Sequence, residues 1–125
     1  MKTLITKLIK AEIALSAKHG KFNLFAAFLR DDASNLWDIL VSAPWISKNR
    51  TRSIRLIAEV IQSDTTPTER RLISRVVAIE PENPALGAIQ SAIHTEHGSM
   101  EVRDSNFFGM AIRHAFVITS RRNDA

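Results

Sequence analysis

The sequence contains no cysteine. That excludes a disulfide framework, thiolate catalysis, and zinc or iron–sulfur sites built on cysteine. Glycine is scarce, with four residues and none clustered, so no glycine-rich loop is available to cradle phosphates. No window approaches the ~18 unbroken apolar residues of a membrane span. The N-terminal stretch has signal-peptide character at first sight. However, Lys7, Lys10 and Glu12 interrupt its apolar run and no small-residue cleavage site follows, so a cytoplasmic protein is expected. Lysine is missing after Lys48, and every later Lys-or-Arg position is arginine. One nuclease pattern follows a first carboxylate with Glu-x-Lys on the next strand. Here Glu80 is followed by Pro81 and Glu82, so the lysine that would activate water is absent.

What is present fits one folded domain. The chain has 125 residues, 45% of them hydrophobic and 24% charged, with a formal net charge of +4. A chain of this length buries roughly two thirds of its unfolded surface and needs no covalent staples. The positive balance permits nucleic acid or acidic partners without requiring them.

Helical spacing of Leu4, Ile5, Leu8, Ile9, Ile13 and Ala17 predicts a helix over about Lys2 to Lys18, stopped by His19-Gly20. The apolar run Phe22 to Arg30 suits a strand buried on both faces. "DDASN" reads as a turn by composition. Leu36 to Trp45 alternates with period two, placing Trp37, Ile39, Val41 and Ala43 on one face, and Pro44 ends it. The stripe Ile54, Ile57, Ala58 and Ile61 marks a second helix. Thr66-Pro67-Thr68-Glu69 has the capping-box form and should open a short helix leading into a buried strand, Arg75 to Glu80. Asn83-Pro84 repeats the cap-then-proline signal for a helix carrying Leu86, Ile89 and Ile93. "SMEVRD" and "AIRHAFVITS" then read as two strands joined by "SNFFGM". The expected fold is a single layered α/β or α+β domain, a mixed sheet of about five strands with three to four helices. A crossover from Val76–Ile79 through the Asn83 helix to Met100–Arg103 should be right-handed if those strands are parallel.

"HTEHG" holds the only closely spaced histidines, His94 and His97. Zinc needs three or four ligands, so a third would have to come from His114 or Asp104. A rival reading is punctuation, because "SAKHGKF" has the same form: His97 would complement a helix C-terminus and Gly98 would supply the left-handed cap. Punctuation is preferred, with no metal or other cofactor expected. His114 lies on a strand beside Ile112, Phe116 and Ile118 by parity, and Asp104 is placed to reach it across the hairpin. An Asp–His pair can orient an imidazole, but no nucleophile is evident beside it. Asp38, inside an apolar strand, and Glu80, at a strand end, are the remaining catalytic candidates.

Arg50, Arg52 and Arg55 form one arginine group, with Arg70, Arg71 and Arg75 and the pair Arg121–Arg122 as others. Arginine binds phosphate through a planar fork. A solvated mixed-charge face is the plainer reading, given Asp31, Asp32, Asp64, Glu69 and Asp124 nearby. Phe107, Phe108 and Trp45 are the candidates for a protein interface. The leading functional expectation is a non-catalytic binding or regulatory module acting through protein contacts as a homodimer, paired through an exposed terminal strand or through these aromatics. Nucleic-acid binding through the arginines is the alternative, and a metal-dependent or hydrolytic enzyme the second alternative.

Overall fold

The computed structural model describes residues 2–30, 35–107 and 109–122. Its chain order is α1 (Lys2–His19), β1 (Leu24–Arg30), β2 (Trp37–Ser42), α2 (Pro44–Lys48), α3 (Arg50–Asp64), α4 (Pro67–Arg70), β3 (Ile73–Ala78), α5 (Pro84–Ala92), β4 (Met100–Phe107) and β5 (Met110–Ser120). The five strands form one mixed sheet in the order β3-β2-β1-β5-β4. Only β2 and β3 run parallel; the other neighbouring pairs are antiparallel. Among the described residues there are five helices rather than three to four, because α2 and α4 are single short turns of five and four residues. Residues 31–34 of the expected "DDASN" turn lie outside the described residues.

Helices cover both faces of the sheet. On one face α1 and α3 seal Phe25, Ala27, Ile39, Val41 and Ile118. On the other, Leu86, Ile89 and Ile93 from α5 and the residue after it meet Leu24, Ala26, Phe28, Leu40 and Val117. The central strand β1 therefore contributes alternate residues to two cores, which is why its sequence is continuously apolar. Local signals set the helix starts. Thr66 and Glu69 complete the capping box, with Thr66 N–H donating to Glu69 Oε1 at 2.8 Å and Glu69 N–H to Thr66 Oγ1 at 3.2 Å. Asn83 Oδ1 accepts from Ala85 N–H at 3.0 Å.

Several expectations are corrected. Pro44 does not merely end a strand; it occupies the first turn of α2, so Trp45 is helical. Strand β3 is an edge strand and is mostly half-buried or exposed, because nothing among the described residues pairs with its outer side. β3 and β4 lie at opposite edges and run in opposite directions, so α5 links edge to edge and the parallel crossover is the one from β2 through α2–α4 to β3. The terminal strand β5 is not an edge, since it lies between β1 and β4. Register shifts in the β1–β5 ladder also break its period of two. Past the shift between Leu29 and Arg30, Ile112 packs under α5 while Phe116 faces the α1 side.

The stripe on α1 is rotated from the one read in the sequence. Its buried residues are Leu4, Ile5, Leu8, Ala11, Glu12 and Leu15, while Ile13 is 45% exposed. The last helix ends at Ala92, before the histidines, and it is His97 (φ 55°) that takes the left-handed conformation. Gly98 serves close packing instead: a Cβ there would lie 2.9 Å from Thr95 Oγ1.

Candidate anion-binding site

The catalytic candidates do not converge. Asp38 is buried on β2 beside its β3 partner Arg75, whose Nε is 3.5 Å from Asp38 Oδ1. Glu80 accepts from Arg50 Nη1 at 2.6 Å on the surface. Asp104 is exposed, with φ 50°, and does not hold His114. Glu101 takes that place: it is hydrogen-bonded to His114 Nε2 and to Arg103 Nη2, and the His114 hydrogen bond holds its carboxyl below the usual range. His114 otherwise packs against Trp37 and Phe116.

The histidine pair separates in function. His94 is exposed, whereas His97 Nδ1 lies 2.5 Å from Oε1 of Glu12, a carboxyl with no exposed surface. Burial pushes the Glu12 carboxyl up, the His97 contact and the Thr119 hydroxyl pull it back, and Glu96 raises it further. The loop is fastened at two more points: His97 N–H donates to Thr119 Oγ1 (3.1 Å) and Gly98 N–H to Ile118 O (3.0 Å). Among the described residues no group of three or more His, Asp or Glu is placed to hold a metal ion. Glu12 was not a candidate in the sequence. The signal was there, because it sits four residues after Leu8 and three before Leu15, on the true apolar stripe.

The arginine group also splits. Arg50 turns toward β3, reaching Glu80 and the Ala78 carbonyl (3.2 Å). Arg52 and Arg55 face the other way, into a cleft of about 620 Å³ shared with Lys18, His19, Trp45 and Glu59. A second cleft of about 280 Å³ adjoins it. That cleft is again lined by His19 and Trp45, now with Gly20, Lys21, Lys48 and Arg121. Six cationic side chains from the α1 end, the α1–β1 turn, α2, α3 and the β5 end thus surround one aromatic pair. Arg121 is 3.7 Å from Glu96. Lys18, Lys21, Lys48, Arg52 and Arg55 have no ion-pair partner among the described residues.

Trp45 is held at the junction of the two clefts. Its Nε1–H donates to Gly20 O at 2.9 Å, and its ring meets Phe22 edge-on, with centroids 5.4 Å apart at 69°. The His19 ring lies 5.2 Å away, tilted by 31°. Gly20, at φ +126°, lets the α1–β1 turn pass so close that a Cβ would sit 3.1 Å from Trp45 Cδ1. The charge is placed against local preference. Helix α3 has no acidic residue in its first turn but carries Arg50 and Arg52 there, at the positive end of its own dipole. Lys48 precedes it and Arg55 follows one turn on. Arg50 is neutralised by Glu80, but an anion in the cleft would offset the charge of Arg52 and Arg55, so the arrangement can accept a phosphate. In the sequence the lysines were invisible as a group, since only the fold joins Lys18, Lys21 and Lys48 to Arg52.

A third cleft, about 220 Å³ between α3 and β3, is lined by Ala58, Ile61, Arg70, Ile73, Arg75 and Val76. Its cations are already engaged, Arg70 with Gln62 O and Arg75 with Asp38. Of the expected interface aromatics, Phe108 and the side chain of Phe107 lie outside the described residues. Comparison of the chain with protein-family models, with curated proteins and with solved structures finds no match. No described helix is long and apolar enough to cross a membrane.

Proposed function

We propose that this chain is a nucleic-acid-binding module, with the paired clefts around Trp45 as its phosphate-binding surface. The observation that carries this reading is the convergence of six cations on two adjoining clefts that expose one lining carboxylate, Glu59. The binding role expected of the sequence is kept, and its partner is assigned by charge: the surface suits a polyanion better than a mixed protein face. The cytoplasmic setting expected from the sequence is compatible with such a ligand.

The test is a paired charge reversal. Arg52→Glu with Arg55→Glu is expected to lower affinity for a labelled oligonucleotide by about tenfold or more. Thermal stability should change little, since an acid at position 52 in the first turn of α3 is favourable and offsets the mild repulsion between position 55 and Glu59 one turn later. Arg70→Glu with Arg71→Glu, away from the two clefts around Trp45, serves as the control and should have a much smaller effect on binding. Equal losses from both pairs would mean general charge attraction and would contradict the site.

A second reading, the homodimer, is favoured by Met100, a large apolar residue 41% exposed at the start of edge strand β4. The route through β5 is closed, because that strand is already paired on both sides. Sedimentation at micromolar concentration is expected to give twice the 14.0 kDa chain mass if this reading holds. Met100→Lys should then return the mass of a single chain. A single-chain mass that persists as concentration rises contradicts it.

A further inference from the structure

The geometry points to a single-stranded nucleic acid, bound with a base stacked at the Trp45–His19 pair and its flanking phosphates in the two clefts; this rests on the nucleic-acid reading above. Three features carry it. Trp45 is partly buried but lines both clefts, so its indole divides them rather than closing one. Its orientation is fixed before any ligand arrives, by the hydrogen bond to Gly20 O and by the edge-on contact with Phe22. Cations stand on both sides of the ring: Lys18, Arg52 and Arg55 on one, Lys21, Lys48 and Arg121 on the other.

An electropositive track interrupted by an aromatic platform is how single strands are held without sequence readout. The backbone follows the charge and a base finds a π-face. A duplex cannot use such a platform, because its bases are already stacked on one another and its phosphates line a convex surface. The indole is partly buried and lines both clefts here, so an unpaired base has a π-face to stack on. The His19 ring leans against the indole, its centroid 5.2 Å away at a tilt of 31°, and adds a second π-system to the site. It also sits on the last turn of α1, where Lys18 and His19 end the helix next to the turn that carries Lys21.

The experiment compares three fluorescent ligands of about ten nucleotides, a length within the range that other single-strand-binding proteins cover. They are an oligothymidylate, the corresponding duplex, and an abasic strand with the same phosphates and no bases. The wild type is expected to bind the thymidylate strand most tightly and to show quenched tryptophan emission, since Trp37 is buried at 5% exposure and Trp45 borders the clefts. Trp45→Leu should remove the advantage of the thymidylate over the abasic strand, roughly 5- to 150-fold for one stacked base. Trp45→Phe should keep a large part of it, and circular dichroism of both variants shows whether the fold is retained. If the abasic strand or the duplex binds as tightly as the thymidylate, the stacking inference is overturned while the nucleic-acid reading stands. If Trp45→Leu is folded and its preference for bases is unchanged, the inference is likewise overturned. If none of the three ligands binds, the nucleic-acid reading itself fails and the inference falls with it.

Discussion

Truncating Phe25 to Ala is expected to cost about 3–5 kcal/mol of unfolding free energy, and Ile89→Ala about 2–5 kcal/mol. Both side chains have no exposed surface, so each loss combines transfer and cavity terms. The two residues lie in different cores, Phe25 under α1 and α3 and Ile89 under α5, with the sheet between them. Their effects should therefore be independent. The milder pair Ile57→Val and Ile89→Val keeps the protein folded, at about 0.5–1.5 kcal/mol each. Their combined cost should equal the sum to within about 0.5 kcal/mol, as for distant sites. Urea unfolding of the two single variants and the double variant measures this. A combined cost well away from the sum would contradict two separate cores.

Glu12 is expected to make stability depend on pH in the direction opposite to most carboxylates. Burial raises its folded pKa above the ordinary 4.5, so the native state holds the proton more tightly than the unfolded chain. The stability that the protonated group contributes is fully present below pH 4.5 and is lost as pH rises through the folded value. Its neighbours on the packed elements are His97, Thr119 and Glu96. Glu12→Gln cannot titrate and should remove this slope. The stability of the wild type minus that of Glu12→Gln should therefore fall as pH is raised above 4.5, by at most about 1.4 kcal/mol per pH unit. Glu69 and Glu101 have the opposite sign: their carboxyls are held below the ordinary value by Lys7 and His114, and their contribution is lost as the pH falls. Both are common to the two proteins and cancel in the difference. Urea unfolding of wild type and Glu12→Gln from pH 5 to 8 checks the prediction. Two parallel stability curves would contradict it.

Where local chemistry decides, the sequence was readable. The capping box at Thr66 and the cap at Asn83 place two helix starts, and Gly20 places a helix end, because each depends on residues a few positions apart. The alternation in Trp37–Ser42 and the apolar run of β1 gave the central strands. Long-range placement was not readable. A pattern of period two carries no information on which strand lies beside which, so β5 could be placed at an edge or inserted centrally, and it is interior. A register shift in the β1–β5 ladder reversed parity along β5, a one-residue event with no sequence mark. The α1 stripe was misassigned because a buried Glu12 looks like a surface residue until His97, 85 positions later, is seen to meet it. The candidate site was half legible for the same reason. Trp45, Arg52, Arg55 and Arg121 were singled out, in separate groups, whereas Lys18, Lys21 and Lys48 join them only through the fold, and Arg50 leaves its group to hold Glu80.

The most direct test of the central claim is the salt dependence of oligothymidylate binding by the wild-type protein. Each phosphate neutralised on a single strand contributes about −0.7 to the slope of log affinity against log salt, so three to six engaged cations correspond to a slope of about −2 to −4. That slope should flatten by roughly the equivalent of two contacts in the double variant Arg52→Gln with Arg55→Gln. A wild-type affinity that does not change with salt, or a slope that the double variant leaves intact, would contradict the assignment of the basic clefts as the phosphate-binding surface.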